Sequence, residues 1–219
     1  MIQPSTLAFL RQLSRNNNRE WFNANKHLYE AAKADFEKFV DELITAIGKF
    51  DKSVQGLQAK DCVFRIYRDV RFSKNKEPYK KNFGAYITSG GKKSMKPGYY
   101  IHVQPGGESF LAGGAYMPPP SVLSAIRQEI DYNQKEFERI IKSKSFVKYF
   151  KKLDGSRVKT APKGYPKDHP SLELLKHKDF LAVHHLADST LHSKNAIIRI
   201  AQAFRAMKPF NDFLARGYE

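Results

Sequence analysis

Leu7, Leu10 and Leu13 recur three residues apart behind Ser5 and Thr6, the spacing of one helix face behind two residue types that cap helices. Asn16, Asn17 and Asn18 then interrupt the pattern, because Asn competes for backbone hydrogen bonds and favours helix ends. Asn17 with Glu20 has the form of a capping box with Asn in place of Ser or Thr. A second helix with Trp21, Phe22 and Leu28 is expected after it. A longer one carries Phe36, Phe39, Val40, Leu43, Ile44 and Ile47, with Gly48 as its stop.

The period then changes from helical to two. From Cys62 to Phe72, Phe64, Ile66, Val70 and Phe72 alternate with Arg65, Tyr67, Asp69 and Arg71, which predicts a strand. Residues 82–88 alternate again, with Phe83, Ala85 and Ile87 on one side. Further strands are expected over 99–104 and 109–116, joined through the turn signals Gly90-Gly91, Pro97-Gly98 and Pro105-Gly106-Gly107. After Pro118-Pro119-Pro120 the helical period returns at Val122, Leu123, Ile126 and Ile130, and over roughly residues 134–152. A Gly/Pro-rich loop over 154–170 precedes a short helix near 171–177 and one more candidate strand over 180–185; Ile197, Ile200, Ala201 and Phe204 mark a final helix.

Helices, a meander and helices again predict an α+β fold: an antiparallel sheet of about four strands, with one apolar and one polar face, flanked by N-terminal and C-terminal helices. We expect one domain over residues 1–219, helical over 1–50, sheet over 60–117 and helical over 118–219. Apolar residues at 41%, with 16 Phe and 11 Tyr, suffice for a packed core. The N-terminal stretch has no basic lead and is broken by Arg11 and Gln12, unlike a signal peptide, and no apolar run is long enough to span a bilayer. A single Cys62 excludes an internal disulfide and a multi-cysteine zinc site. The expectation is a cytoplasmic protein without a membrane partner.

Net charge changes the picture more than any other bulk property. At +16, the chain attracts polyanions, so an anionic small molecule or nucleic acid is the natural partner class. The competing reading is a set of lysines that only keep the chain soluble.

The segment Phe64-Arg65-Ile66-Tyr67-Arg68-Asp69-Val70-Arg71-Phe72-Ser73-Lys74-Asn75-Lys76-Glu77-Pro78-Tyr79-Lys80 resembles the signature of a bacterial and fungal family of conserved hypothetical proteins, a domain of unknown function. Arg19-Glu20-Trp21-Phe22 with Asn25-Lys26, the stretch from Gly98-Tyr99-Tyr100-Ile101 to Gly113-Gly114, and residues 161–170 look like the same family. The resemblance implies a fold and a surface, and no activity.

Arginine offers planar donors matched to phosphate or carboxylate oxygens, and lysine adds point charge. Arg65, Tyr67, Arg68, Arg71, Lys74, Lys80, Asn82, Tyr86 and Tyr100 are therefore the candidate ligand-binding residues, with His102 and Gln104 beside them on the polar sheet face. Gly84, Gly113 and Gly114 leave room there for a ligand or another backbone. The alternative is a structural network, in which Arg65 and Arg71 pair with Asp69 and the tyrosines form a second core layer. Arg68 falls on the apolar side, where a guanidinium needs a partner. Asp69 and His102 are candidates for an orienting carboxylate and a base. The loop 71–80 lacks the glycines of a nucleotide-binding motif, and no pattern names a cofactor or an oligomeric state. His184, Asp188 and His192 would share a helix face, but that stretch reads as extended and matches no metal signature, so no metal is expected. Cys62, Trp21 and Phe22 read as core.

Four functions follow: a binding module for a phosphorylated or other anionic ligand, an enzyme on such a substrate, a sequence-independent nucleic-acid binder, and a protein scaffold.

Overall fold

Phe83, Ala85 and Ile87, then Tyr99, Ile101 and Val103, are sealed from solvent at every second position, and these runs are strands in the computed structural model, which describes residues 1–219. The sheet has four strands in the order β1 (Phe83–Ile87), β2 (Gly98–Val103), β3 (Ser109–Ala115) and β4 (Phe180–Leu186). It is antiparallel, lies mid-chain and carries helices at both ends, as the period change predicts. The long connection from β3 to β4 holds α5 (Pro120–Tyr132), α6 (Gln134–Ile141), α7 (Lys144–Phe150) and α8 (Leu172–Leu175). Before the sheet come α1 (Pro4–Arg15), α2 (Arg19–Ala24), α3 (Lys26–Ile47) and the single turn α4 (Ala59–Cys62); after it come α9 (Asp188–His192) and α10 (Ala196–Ala215).

The chain divides into two compact units. The first comprises Met1–Lys92, Tyr100–Leu111 and His185–Gln202; the second comprises Lys93–Tyr99, Ala112–His184 and Ala203–Glu219. In the first, Phe36 of α3 stacks on Phe83 of β1 with ring centroids 5.3 Å apart. In the second, Phe137 packs on Phe213 at 4.9 Å and Phe146 on Phe210 at 5.4 Å. Each such buried ring contributes on the order of 1.5–3 kcal/mol by leaving water.

Three expectations are corrected. Residues 62–72 form no ladder strand: Cys62 ends α4, and only the isolated bridges Val63–Ala85 and Tyr67–Tyr79 pair the segment, so the fourth strand is 180–186 instead. The cap of α2 is Asn18, whose side chain accepts from Trp21 N at 2.8 Å. Asn17 serves elsewhere: its amide donates to Tyr79 O at 3.0 Å and its carbonyl accepts from Tyr79 N at 3.1 Å. Finally, α1 starts at Pro4 with no side-chain cap, and the Thr6 hydroxyl donates to Asp35 at 2.6 Å.

Candidate functional site

Residues 64–80 form an arm that runs out from the edge of β1 and returns. Phe64 N donates to Gly84 O at 2.9 Å at the base, and Arg68 N to Pro78 O and Lys80 N to Ile66 O close the arm at 2.9 and 2.8 Å. The alternation that reads as a strand has another cause. Ile66 is buried, while Tyr67 leans on Tyr79 and Phe22 at centroid distances of 5.5 and 5.9 Å and stays 44% exposed. Phe22 itself stacks on Tyr79 at 3.9 Å.

The arm's cations divide by task. Arg68 is half-buried, and its guanidinium donates to Glu77 O at 2.9 Å and Ser73 Oγ at 3.4 Å, which ties the loop from inside. A backbone carbonyl thus supplies the partner that its apolar surroundings demand. Arg71 grips Asp69 with two bonds, Nε to Oδ1 at 3.0 Å and Nη2 to Oδ2 at 2.7 Å. Those bonds from Arg71 hold the Asp69 carboxyl below its usual range, with Arg65 adding to the effect. Lys74 is exposed on the outer loop, as is Phe72 at 95%.

Arg65 and Lys80 remain outside these pairs. Arg65 is exposed, and the Lys80 ammonium lies 5.4 Å from the Phe64 ring centroid in a half-buried position. Burial, with the positive charge of Arg65 beside it, lowers the pKa of Lys80.

Next to them runs the half-exposed face of the sheet. Asn82 and Tyr86 are half-buried there, as are Tyr100, His102 and Gln104 along β2 and its exit. The three β2 side chains form one hydrogen-bonded row. His102 Nε2 lies 3.0 Å from Gln104 Oε1, and Nδ1 lies 3.2 Å from the Tyr100 hydroxyl. An amide oxygen only accepts, so Nε2 carries the proton and Nδ1 accepts from the phenol. Burial lowers the pKa of His102, against the Gln104 bond, and pushes the Tyr100 phenol up to about 12. A neutral row of donors and acceptors results, with Phe110 stacked on His102 at 4.5 Å and Phe64 at 6.4 Å from Tyr100.

The sequence pattern thus places Tyr100, His102 and Gln104 together correctly but errs in laying Arg65, Tyr67, Asp69 and Arg71 beside them on a sheet strand. The pairing of His102 with Asp69 does not form: each has other partners. Gly84 is covered by the Tyr100 ring, since a Cβ there would meet its hydroxyl at 2.8 Å. Phe110 is not among the residues that the sequence pattern singled out; in β3 it alternates with the buried Ser109 and Leu111 and so shares the half-exposed face.

Other candidates disperse. His184 Nδ1 meets Tyr149 O at 3.0 Å, His192 Nδ1 meets Ile2 O at 2.9 Å, and Asp188 accepts from Gly106 N and Gly107 N at 3.0 Å each. In the loop 161–170, His169 Nε2 donates to Asp131 at 2.9 Å while its Nδ1 accepts from Ser171 N, so the loop is strapped down. Cys62 is buried, with its thiol pushed up to about 11, mainly by that burial.

A family model described as conserved hypothetical protein (DUF2461) matches residues 5–213. The chain belongs to that family. No curated protein and no solved structure matches it. No helix is long and apolar enough to cross a membrane.

Proposed function

We propose that this chain binds an anionic, phosphorylated ligand at the sheet edge, with its charge on Arg65 and Lys80 and its body over the Tyr100–His102–Gln104 row. The observation that carries the reading is the pair Arg65 and Lys80. Two like charges are held close enough to perturb each other, one of them partly desolvated, and neither is in an ion pair. An anion between them relieves both costs, and the Phe64 and Phe110 rings offer it an apolar flank. On this reading, residues 64–80 resemble a family signature because they build that edge. Binding fits the row better than catalysis, since both nitrogens of His102 are committed and the Tyr100 phenol is a poor acid.

Phe72 favours a second reading. A ring 95% exposed beside Arg71, Lys74 and Lys76 is a stacking platform with phosphate partners, as single-stranded nucleic acid requires.

Thermal-shift screening at low salt tests both, using nucleotides, sugar phosphates and short single strands. The first reading expects one small anion to raise the melting temperature, to persist at higher salt, and to lose its effect in folded Arg65→Gln and Lys80→Gln. Ligand at about 100 times its dissociation constant should contribute about 2.7 kcal/mol. A shift from oligonucleotides alone, erased by salt and by Phe72→Ala, would select the second reading.

A further inference from the structure

The second compact unit holds a cleft of about 300 Å³ that no sequence pattern singles out. Four of its nine lining residues are cations, Lys142, Lys151, Lys152 and Arg157, and none is acidic. Lys142 is tied to Glu138 at 2.5 Å, and Arg157 reaches Glu173 only at 3.8 Å, where Lys176 holds the same carboxylate at 2.6 Å. Lys151 and Lys152 are exposed and stand in no ion pair.

His177 is also part of the lining, and its chemistry is more selective. It is 1% exposed, and its Nδ1 lies 3.1 Å from the carbonyl oxygen of Asp179. A carbonyl only accepts, so Nδ1 carries the proton and Nε2 presents a lone pair. That Nε2 is buried without any hydrogen-bond partner. Burial, with Arg157 beside it, lowers the pKa of the imidazole and keeps it in this neutral form. An orphaned buried acceptor is destabilising, and a donor from a ligand would satisfy it.

The backbone holds both parts of the cleft in place. Arg157 and His177 face each other across an isolated antiparallel bridge, flanked by bonds from Val158 N to Lys176 O at 2.9 Å and from Lys178 N to Ser156 O at 2.8 Å. The end of α7 supplies the two lysines through a tight turn: Lys152 N donates to Phe150 O at 2.5 Å around Lys151, whose φ is 55 and ψ is −60. This γ-turn is strained for any residue with a Cβ and easy for glycine. Strain of this kind collects at ligand sites. A lysine at this position keeps a free ammonium on the cleft and accepts the strain.

We propose that the cleft binds a small phosphate monoester that also carries a hydroxyl group, with its phosphoryl oxygens on Lys151, Lys152 and Arg157 and its hydroxyl donating to Nε2 of His177. Cations alone would take any anion. The lone pair selects a ligand with a donor, and the four aliphatic residues of the lining suit a short carbon skeleton. This site is independent of anion binding at the sheet edge.

Calorimetric titration of the full chain with glycerol 3-phosphate, against sulfate and glycerol as controls, is the test. Saturable binding is expected at about 0.15 M salt, where exposed charges are largely screened beyond about 8 Å, and sulfate should bind more weakly. Lys151→Gly and Arg157→Gln should each weaken it about tenfold, the loss of one charged hydrogen bond. Lys151→Gly should also raise the melting temperature, so its lost affinity cannot come from unfolding. Nitrogen-15 spectra should show the His177 Nε2 resonance moving upfield as it accepts the hydroxyl. Lys26→Gln, which removes an exposed charge of the first unit outside both sites, should leave the affinity unchanged. Equal binding of sulfate, unchanged affinity in both cleft variants, an unmoved Nε2 or loss of binding in Lys26→Gln would each overturn the proposal.

Discussion

The carboxylate of Asp179 is buried, yet it accepts from Met117 N at 2.7 Å, from Ser156 N at 3.3 Å and from the Ser156 hydroxyl. Burial alone would raise its pKa; the three donors and Lys178 outweigh that and set it below the usual carboxylate value. The sign of the linkage follows. The unfolded chain takes up this proton near pH 3.9, before the folded chain does, so the stabilisation is present above about pH 4 and is lost as pH falls through the lower folded value. Asp179→Asn should cost about 2 kcal/mol at pH 7 and flatten the acid limb below about pH 4, as urea unfolding at pH 7 and pH 3 would read. Nothing in the residues around Asp179 announces this, because its partners lie 23 and 62 positions away. Arg68 was legible, since a guanidinium on an apolar side must find an acceptor. That the acceptor is the Glu77 carbonyl depends on how the arm folds back.

At the scale of elements, the glycine pair in β3 decides how closely its neighbours pack. A Cβ on Gly113 would stand 2.5 Å from Gly98 O and 2.1 Å from Met207 Sδ of α10. The sulfur can swing away, but the carbonyl is backbone. Gly114 has φ +109, and its Cβ would meet Phe180 O of β4 at 2.0 Å. The room left by these glycines is thus filled by the protein itself. Gly113→Ala should destabilise by about 2–3 kcal/mol, lowering the melting temperature by roughly 5–10 °C in a scanning calorimeter. Period two located β1 and β2 because each buries one side of a ladder. The same period misled over 62–72, where Ile66 is buried and Tyr67 stays 44% exposed against Phe22 and Tyr79, with only isolated bridges along the segment. Alternation reports sidedness, and it does not reveal whether a second strand supplies the hydrogen bonds. The cleft at Arg157 and His177 was illegible for a related reason: its walls meet through single bridges, which leave no periodic trace.

For the whole molecule, 38 Lys and Arg oppose 22 Asp and Glu, a net charge of +16. Several ion pairs are exposed i,i+4 contacts on helices, such as Lys26–Glu30 and Lys208–Asp212, each contributing at most about 0.5 kcal/mol. Repulsion among the unmatched cations therefore outweighs what salt would take from the pairs. Raising sodium chloride from about 0.01 to 0.3 M should raise the melting temperature by a few degrees. A falling melting temperature would mean that the pairs matter more than their exposure suggests. The two compact units alternate along the chain, with boundaries after residues 92, 99, 111, 184 and 202. A single crossover between two genes, wherever it falls, therefore cannot pass on one unit whole without carrying pieces of the other. Recombination can shuffle this protein only as one inheritable piece, so any new partner domain must be added outside it or within a loop.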